Sequence, residues 1–253
     1  MIKLKKRINM QNNLKSFISK VSKQWERATL PVPLGIDEDG NLHLADLSQT
    51  GNIIIGGTTG SGKSIFNHNL ICSLTLKHDS SILKLFLADP KRVEFPLTYK
   101  ELPHVLEKIY IESEEIINRL ESLKKEIVNK RYPYLVIVID TFSDLMMYDS
   151  DRFESVISDL SKLNKKGVYI IICDSRPSED VFTDYLMKNF PTKIAMNTAS
   201  KMDSIKVIGI AGGEKLKGSG DMLYLQKGEK NPIRLQGTYI SEEDIEKKVD
   251  RAK

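Results

Sequence analysis

Between residues 52 and 196, short runs that are apolar on both faces alternate with helical patterns, and this alternation decides what the chain can fold into. The runs are 52–56 (NIIIG), 83–88 (LKLFLA), 135–140 (LVIVID), 167–173 (GVYIIIC) and 193–196 (KIAM). Helical patterns fall near 63–77, 108–129, 151–164 and 179–189. A strand with no polar face has no side to turn to water, so these runs predict a mostly parallel sheet covered by helices on both faces. The fold class is α/β. Toward the C-terminus the pattern changes: 221–225 (DMLYL) and 232–236 (PIRLQ) flank the turn-rich Lys227-Gly228-Glu229-Lys230-Asn231, which predicts an antiparallel hairpin. Ser241-Glu242-Glu243-Asp244 then opens a last helix with a capping hydroxyl and acidic residues at its positive end.

The chain has 253 residues, 40% of them hydrophobic, enough for one sizeable domain and a short extension. The division falls between a basic extension at 1–29 and a domain at 30–253. Residues 1–10 read as a frayed basic end. After them Leu14, Phe17, Ile18, Val21 and Trp25 follow helical spacing, with Lys15, Ser19, Lys20 and Lys23 away from the stripe. Such a helix either packs on its own domain or a neighbouring subunit, or lies on a membrane surface. Leu30-Pro31-Val32-Pro33 ends it, and Asp37-Glu38-Asp39-Gly40-Asn41 joins two extended pieces as a hairpin. Cys72 and Cys173 sit inside apolar runs with no metal-ligand spacing and read as small core residues of a reducing compartment. No apolar stretch reaches the roughly 18 residues that span a bilayer, and no signal peptide is present, so the expected location is the cytoplasm. The net charge of +4 says little about nucleic acid. Local clusters at Lys3, Lys5, Lys6 and Arg7, and at Lys124, Lys125, Lys130 and Arg131, are either phosphate-binding patches or ordinary solvated surface.

One turn carries chemistry. Gly57-Thr58-Thr59-Gly60-Ser61-Gly62-Lys63-Ser64 fits G-x-x-x-x-G-K-[ST], follows the 52–56 strand and opens a helix. Glycines at these places let main-chain N–H groups point inward around phosphates, and the helix N-terminus adds a positive dipole end. Lys63 is then expected to reach the terminal phosphates and Ser64 to ligate magnesium. A site of this kind also needs a carboxylate at the end of a neighbouring strand to hold the magnesium shell, and Asp140, closing the 135–140 run, supplies it. The expected ligands are ATP and Mg2+.

A further set of motifs appears in order: Pro33-Leu34-Gly35-Ile36-Asp37 with Ala45-Asp46-Leu47, Ala88-Asp89-Pro90-Lys91-Arg92-Val93-Glu94, Leu102-Pro103-His104-Val105, Asp144-Leu145-Met146-Met147, Ser175-Arg176-Pro177-Ser178, Asn189-Phe190-Pro191, Ser200-Lys201-Met202-Asp203-Ser204, and Gly218-Ser219-Gly220-Asp221-Met222-Leu223-Tyr224. In this order, from about residue 31 to the C-terminus, the chain resembles the motor domain of the FtsK/SpoIIIE DNA translocases. The resemblance implies a RecA-like P-loop NTPase core, a homo- or hetero-oligomeric ring, typically a hexamer, and double-stranded DNA in its channel. It implies that ATP binding and hydrolysis drive movement on that DNA. A related ring motor that moves protein is a weaker match, because Asp89-Pro90-Lys91-Arg92-Val93-Glu94 is closer to the DNA-pumping branch.

The chain departs from the family pattern where hydrolysis is promoted. The family carries Asp-Glu at the end of the Asp140 strand, whereas this chain has Asp140-Thr141, and a hydroxyl has too high a pKa to act as a general base near neutrality. Asp174-Ser175 stands where the family has Thr-Gln, two family arginines fall at Asn197 and Ile205, and the segment between 128 and 135 is short. The nucleotide-holding residues Lys63, Ser64 and Asp140 remain. The alternative function is therefore an ATP-binding, hydrolysis-weak regulatory or structural subunit. Asp174 either points into the site as a replacement carboxylate or caps the following turn.

Overall fold

The computed structural model describes residues 13–129 and 133–252. The basic cluster at Lys3, Lys5, Lys6 and Arg7 lies outside them, as do Lys130 and Arg131. The described chain opens with α1 (Leu14–Lys20) and α2 (Ser22–Arg27), the hairpin β1 (Pro31–Ile36) and β2 (Leu42–Asp46), and the short α3 (Leu47–Thr50). The central part runs β3 (Ile53–Gly56), α4 (Lys63–Lys77), β4 (Leu83–Ala88), β5 (Val105–Tyr110), α5 (Ser113–Glu126), β6 (Tyr134–Asp140), α6 (Ser143–Ser161) and β7 (Val168–Asp174). It closes with α7 (Asp184–Met187), β8 (Thr192–Met196), α8 (Lys201–Ile208), the hairpin β9 (Asp221–Leu225) and β10 (Ile233–Gly237), and α9 (Glu242–Ala252).

All ten strands form one sheet in the order β2-β1-β10-β9-β8-β3-β7-β6-β4-β5. From β8 to β5 the neighbours pair in parallel, and the two hairpins extend the sheet antiparallel from the other side of β8. Side chains alternate across each buried strand, which makes two cores. Ile53, Ile55, Val136 and Val138 meet Leu70, Ile71 and Leu74 of α4 on one face. Ile54, Ile137 and Ile139 meet Ile117 and Leu120 of α5 and Ile157 and Leu160 of α6 on the other.

Four expectations change in detail. The pattern near 108–129 divides into β5 and α5, because the edge strand VLEKIY alternates around charged residues and its apolar positions blend into the helical stripe that follows. The helix expected at 151–164 begins earlier, at Ser143, and bends at Asp149. Of the 179–189 segment only α7 is helical. The N-terminal stripe is two short helices joined at Val21, and its Leu14 and Phe17 are buried, with Leu14 in the core beside β1. Lys77 donates from its Nζ to the carbonyls of Trp25 and Glu26, satisfying the end of α2. The helical pair thus packs on its own domain.

One buried polar side chain ties the base of the sheet together. Asn52, 1% exposed, donates to the carbonyls of Ser161 and Asn189 and accepts from Ile170 N and Asn164 Nδ2. Asn52→Leu strands these groups in an apolar interior, and each unpaired group costs about 1–3 kcal/mol. The variant is expected to lose roughly 3 kcal/mol or more of unfolding free energy in urea titration; a loss within 0.5 kcal/mol, about that of an ordinary surface substitution, contradicts this role for Asn52.

Candidate functional site

The parallel strands all end on one edge, and the loops leaving β3, β4 and β6 meet there with the turns around 219 and 237. They enclose a cleft of about 480 Å³, within the range of small-molecule sites. The turn 57–62 forms one wall. Its backbone is fixed by Thr58 N donating to Asn197 O at 2.7 Å, by Gly57 N donating to Asp174 O at 3.2 Å, and by Gly220 N donating to Ser61 O at 2.8 Å. Gly62 has φ 117°, and a Cβ on it would lie 2.5 Å from Gly220 N, so only glycine serves at that position.

Gly62 caps α4 with no side-chain hydrogen bond, so the first N–H groups of this 15-residue helix keep no capping partner and face the cleft. That is the arrangement of an anion site. Lys63 is 7% exposed, and its ammonium donates to Gly57 O at 2.7 Å and Thr58 O at 3.0 Å, lying across the turn. Burial lowers its pKa, opposed by the negative groups around it. Lys63, Ser64, Thr59, Gly60 and Gly62 all line the cleft, as does Asp140; Thr58 supports the turn from behind.

Asp140 ends β6, separated from β3 by β7. Its carboxyl is pushed up to about 6, first by burial and then by the charges of Glu94 and Asp89, against a hydrogen bond from the Cys173 thiol and the charge of Lys63. The Cys173 thiol donates to Asp140 Oδ1 at 2.8 Å and is itself pushed far up by complete burial. Cys173 is therefore a core residue, as expected, that also orients the key carboxylate.

Asp174 is the expectation the geometry corrects. It is fully buried and does not line the cleft; Oδ2 accepts from Ser143 N at 2.6 Å and Oδ1 from Arg176 N at 2.8 Å. Its two oxygens cap the start of α6 and the turn after β7. The cleft instead contains two carboxylates not counted among the site residues. Asp89, 1% exposed, accepts from Glu94 N and Phe95 N through Oδ2, while Oδ1 is buried without a hydrogen-bond partner. Glu94 Oε1 accepts from the Ser64 hydroxyl at 2.5 Å. The sequence signal for both was present in Ala88-Asp89-Pro90-Lys91-Arg92-Val93-Glu94, but nothing in their spacing tells that a turn brings the last residue back onto α4.

Thr141 lines the cleft with φ 61°, an unusual conformation for a β-branched residue. Ser175 also lines it. Asn197 supports the phosphate-type turn from below through its carbonyl and side chain, while Ile205 is exposed on α8. A serine hydroxyl flanked by carboxylates is a hard-oxygen donor set, suited to a divalent cation shared with phosphate oxygens.

Ionised Asp140 lowers the stability of the ligand-free protein. Its folded value lies above the ordinary carboxylate value of 3.8, so the folded state holds the extra proton between that value and about 6, and stability falls as pH rises through this window. Asp140→Asn is expected to stabilise the ligand-free protein at pH 7.5 by on the order of 2–3 kcal/mol, with the gain shrinking as pH falls from 6 to 4. Urea unfolding of both proteins across that range checks it, and a gain independent of pH sinks the assignment.

Comparison with known proteins agrees with this geometry. Residues 13–132 match the model of the FtsK/SpoIIIE family. The chain is 34% identical to the DNA translocase SftA of Bacillus subtilis, over 95% of this chain and 28% of SftA. It is 35% identical to the DNA translocase FtsK of Lactiplantibacillus plantarum, over 96% of this chain and 35% of that protein. It thus spans roughly a third of the length of these relatives. Among solved structures, it resembles the pCW3 conjugation coupling protein TcpA, determined with ATPγS, with a TM-score of 0.76 at 20% identity over 91% of this chain and 73% of that one. The cytoplasmic domain of the type VII secretion ATPase EccC of Thermomonospora curvata gives 0.73 at 23% identity, over 88% of this chain and 31% of that one. These two likenesses concern the fold, a mostly parallel sheet of the P-loop ATPase type.

Proposed function

We propose that the chain carries a P-loop ATPase domain of the FtsK/SpoIIIE type, binds magnesium-ATP in the cleft over α4 and couples ATP binding and hydrolysis to movement on double-stranded DNA. The observation that carries this reading is the convergence, in one cleft, of the uncapped start of α4, the Lys63 ammonium, the Ser64 hydroxyl and the Asp140 carboxylate. The main-chain N–H groups at the start of α4 would meet the phosphates, Lys63 would neutralise the terminal ones, and Ser64 and Asp140 would hold the magnesium ion. When bound, the ion would supply charge neutralisation on the phosphates. The buried oxygen of Asp89 without a partner and the raised pKa of Asp140 both suit a site completed by a cation.

The names of the relatives support DNA as the track, and residues 30–253 form the motor unit in this reading, with 1–29 as its basic extension. The motor works as a ring, a hexamer by family likeness, in the cytoplasm; among the described residues no helix is long and apolar enough to cross a membrane. DNA contact of this kind runs mostly through phosphates and weakens with salt. On the described surface, Lys124 is engaged with Asp159, which leaves Lys125 as the freer cation of that cluster.

A second reading is favoured by Thr141, Ser175, Asn197 and Ile205 standing at the family's hydrolysis-promoting positions: an ATP-binding, hydrolysis-weak subunit of such a ring. ATP turnover with and without duplex DNA, run beside calorimetric binding of magnesium-ATP, separates the two. Under the first reading, duplex DNA raises turnover several-fold and added salt removes the increase; tight binding with no turnover supports the second. Lys63→Ala is expected to weaken magnesium-ATP binding at least tenfold, and unchanged binding overturns both.

A further inference from the structure

Thr141 leaves the site without the carboxylate that would take a proton from an attacking water, and the cleft itself narrows the search for a substitute. Three carboxylates line it among the described residues: Asp89, Glu94 and Asp140. Asp140 is the metal-side carboxylate, buried and held by the Cys173 thiol. Asp89 is almost fully buried, and one of its oxygens is committed to Glu94 N and Phe95 N. Asp174 is spent on the amides of Ser143 and Arg176. Only Glu94 keeps a partly exposed side chain, 25% by area, on the loop facing the start of α4.

Its placement is constrained from three sides. Asp89 grips the Glu94 backbone N–H at 2.8 Å and fixes where the side chain starts. His68, one turn along α4 from Ser64, lies 3.5 Å from Oε2 through its Nε2 and bonds Tyr99 through its Nδ1 at 2.7 Å, so one carboxylate oxygen is steered toward the helix. Oε1 accepts from the Ser64 hydroxyl at 2.5 Å, which puts it beside the residue next to Lys63, where the terminal phosphate of a bound nucleotide arrives. Each carboxylate oxygen of Glu94 thus has its own neighbour, Ser64 at Oε1 and His68 at Oε2.

We propose that Glu94 is the catalytic carboxylate of this chain, replacing from the β4 side of the cleft the group that Thr141 lacks on the β6 side. This rests on the cleft being a magnesium-ATP site. In the step assigned to it, the oxygen of a water bonds to the terminal phosphorus, and the bond from that phosphorus to the bridging oxygen breaks with its electron pair leaving on ADP. The proton of the water passes to Glu94 and then to solvent. Asp89 and His68 are positioning residues that hold the carboxylate over the start of α4.

The test uses the full chain with a fluorescent ATP analogue for affinity, a magnesium titration of that binding, and steady-state ATP turnover. Glu94→Gln is expected to bind magnesium-ATP within about threefold of wild type, with an unchanged magnesium half-saturation, and to turn over at least 100-fold more slowly, the lower end of what general-base assistance is worth, roughly 10²–10⁴. Glu94→Asp, which keeps the charge, is expected to fall between the two. Glu94→Gln retaining turnover within threefold overturns the proposal. So does a loss of turnover matched by an equal rise in the magnesium half-saturation, since that marks a residue that only orients Ser64. Wild type that binds magnesium-ATP without turning it over also overturns it while leaving the binding site intact, whereas wild type that binds none removes the nucleotide reading itself.

Discussion

The chemistry of this chain depends on the direction of its strands. Because β8, β3, β7, β6, β4 and β5 run parallel, their C-terminal ends lie on one edge, and the loops leaving β3, β4 and β6 line the cleft there. The register is tight: Gly56 pairs with Asp174 on β7, and Asp140 pairs with Cys173, so the start of the 57–62 turn and the Asp140 carboxylate are held one strand apart. A parallel sheet needs crossover helices on its faces, and the two buried cores supply the apolar area that keeps those strands aligned. The antiparallel hairpin at the other side of β8 adds a clamp rather than a strand end: Gly220 N closes onto Ser61 O, so the C-terminal part of the chain holds the loop that its first half makes.

Held this way, the cleft concentrates buried negative charge. Asp140, Asp89 and Glu94 line the cleft together with Lys63 and Lys91, and burial leaves Asp140 protonating far more readily than an ordinary carboxylate. Like charges kept close in a poorly solvated place are tolerated when a ligand brings the compensating charge. The folded protein partly offsets the cost by local satisfaction, with Lys63 on the carbonyls of its own loop, Ser64 on Glu94 and the Cys173 thiol on Asp140.

Much of this was legible in the amino-acid sequence because it rests on short-range patterns. The runs at 83–88 and 135–140 became β4 and β6 with at most one residue of difference, and α4 spans the helix read at 63–77. The glycine-lysine turn carries its geometry in its own residues. What escaped notice depends on long-range folding. Glu94 reaches Ser64 across 30 residues because Asp89 turns the loop between them, and the Cys173 thiol reaches Asp140 across 33 because β6 and β7 are neighbours. Asp174 sits where an adjacent strand end suggested a second carboxylate in the site, yet the amides of Ser143 and Arg176 were nearer. The edge strand β5 was read as part of a helix because its partner lies on one side only, so charged residues interrupt its apolar pattern.

The same geometry fixes the backbone at residue 141. Its backbone is in the left-handed region, where a threonine pays steric strain of about 1–3 kcal/mol, and Thr141 N donates to Cys173 O at 2.8 Å. Phe142, fully buried, stacked against Phe153 and tilted against Phe182, anchors the next position, and Asp174 caps the helix that begins at Ser143. The turn is thus set by its neighbours on both sides and not by the side chain at 141. A turn over-determined in this way keeps its shape when its chemistry is lost. The hydrogen bonds of Thr141 N and Ser143 N and the burial of Phe142 fix the turn whatever side chain residue 141 carries.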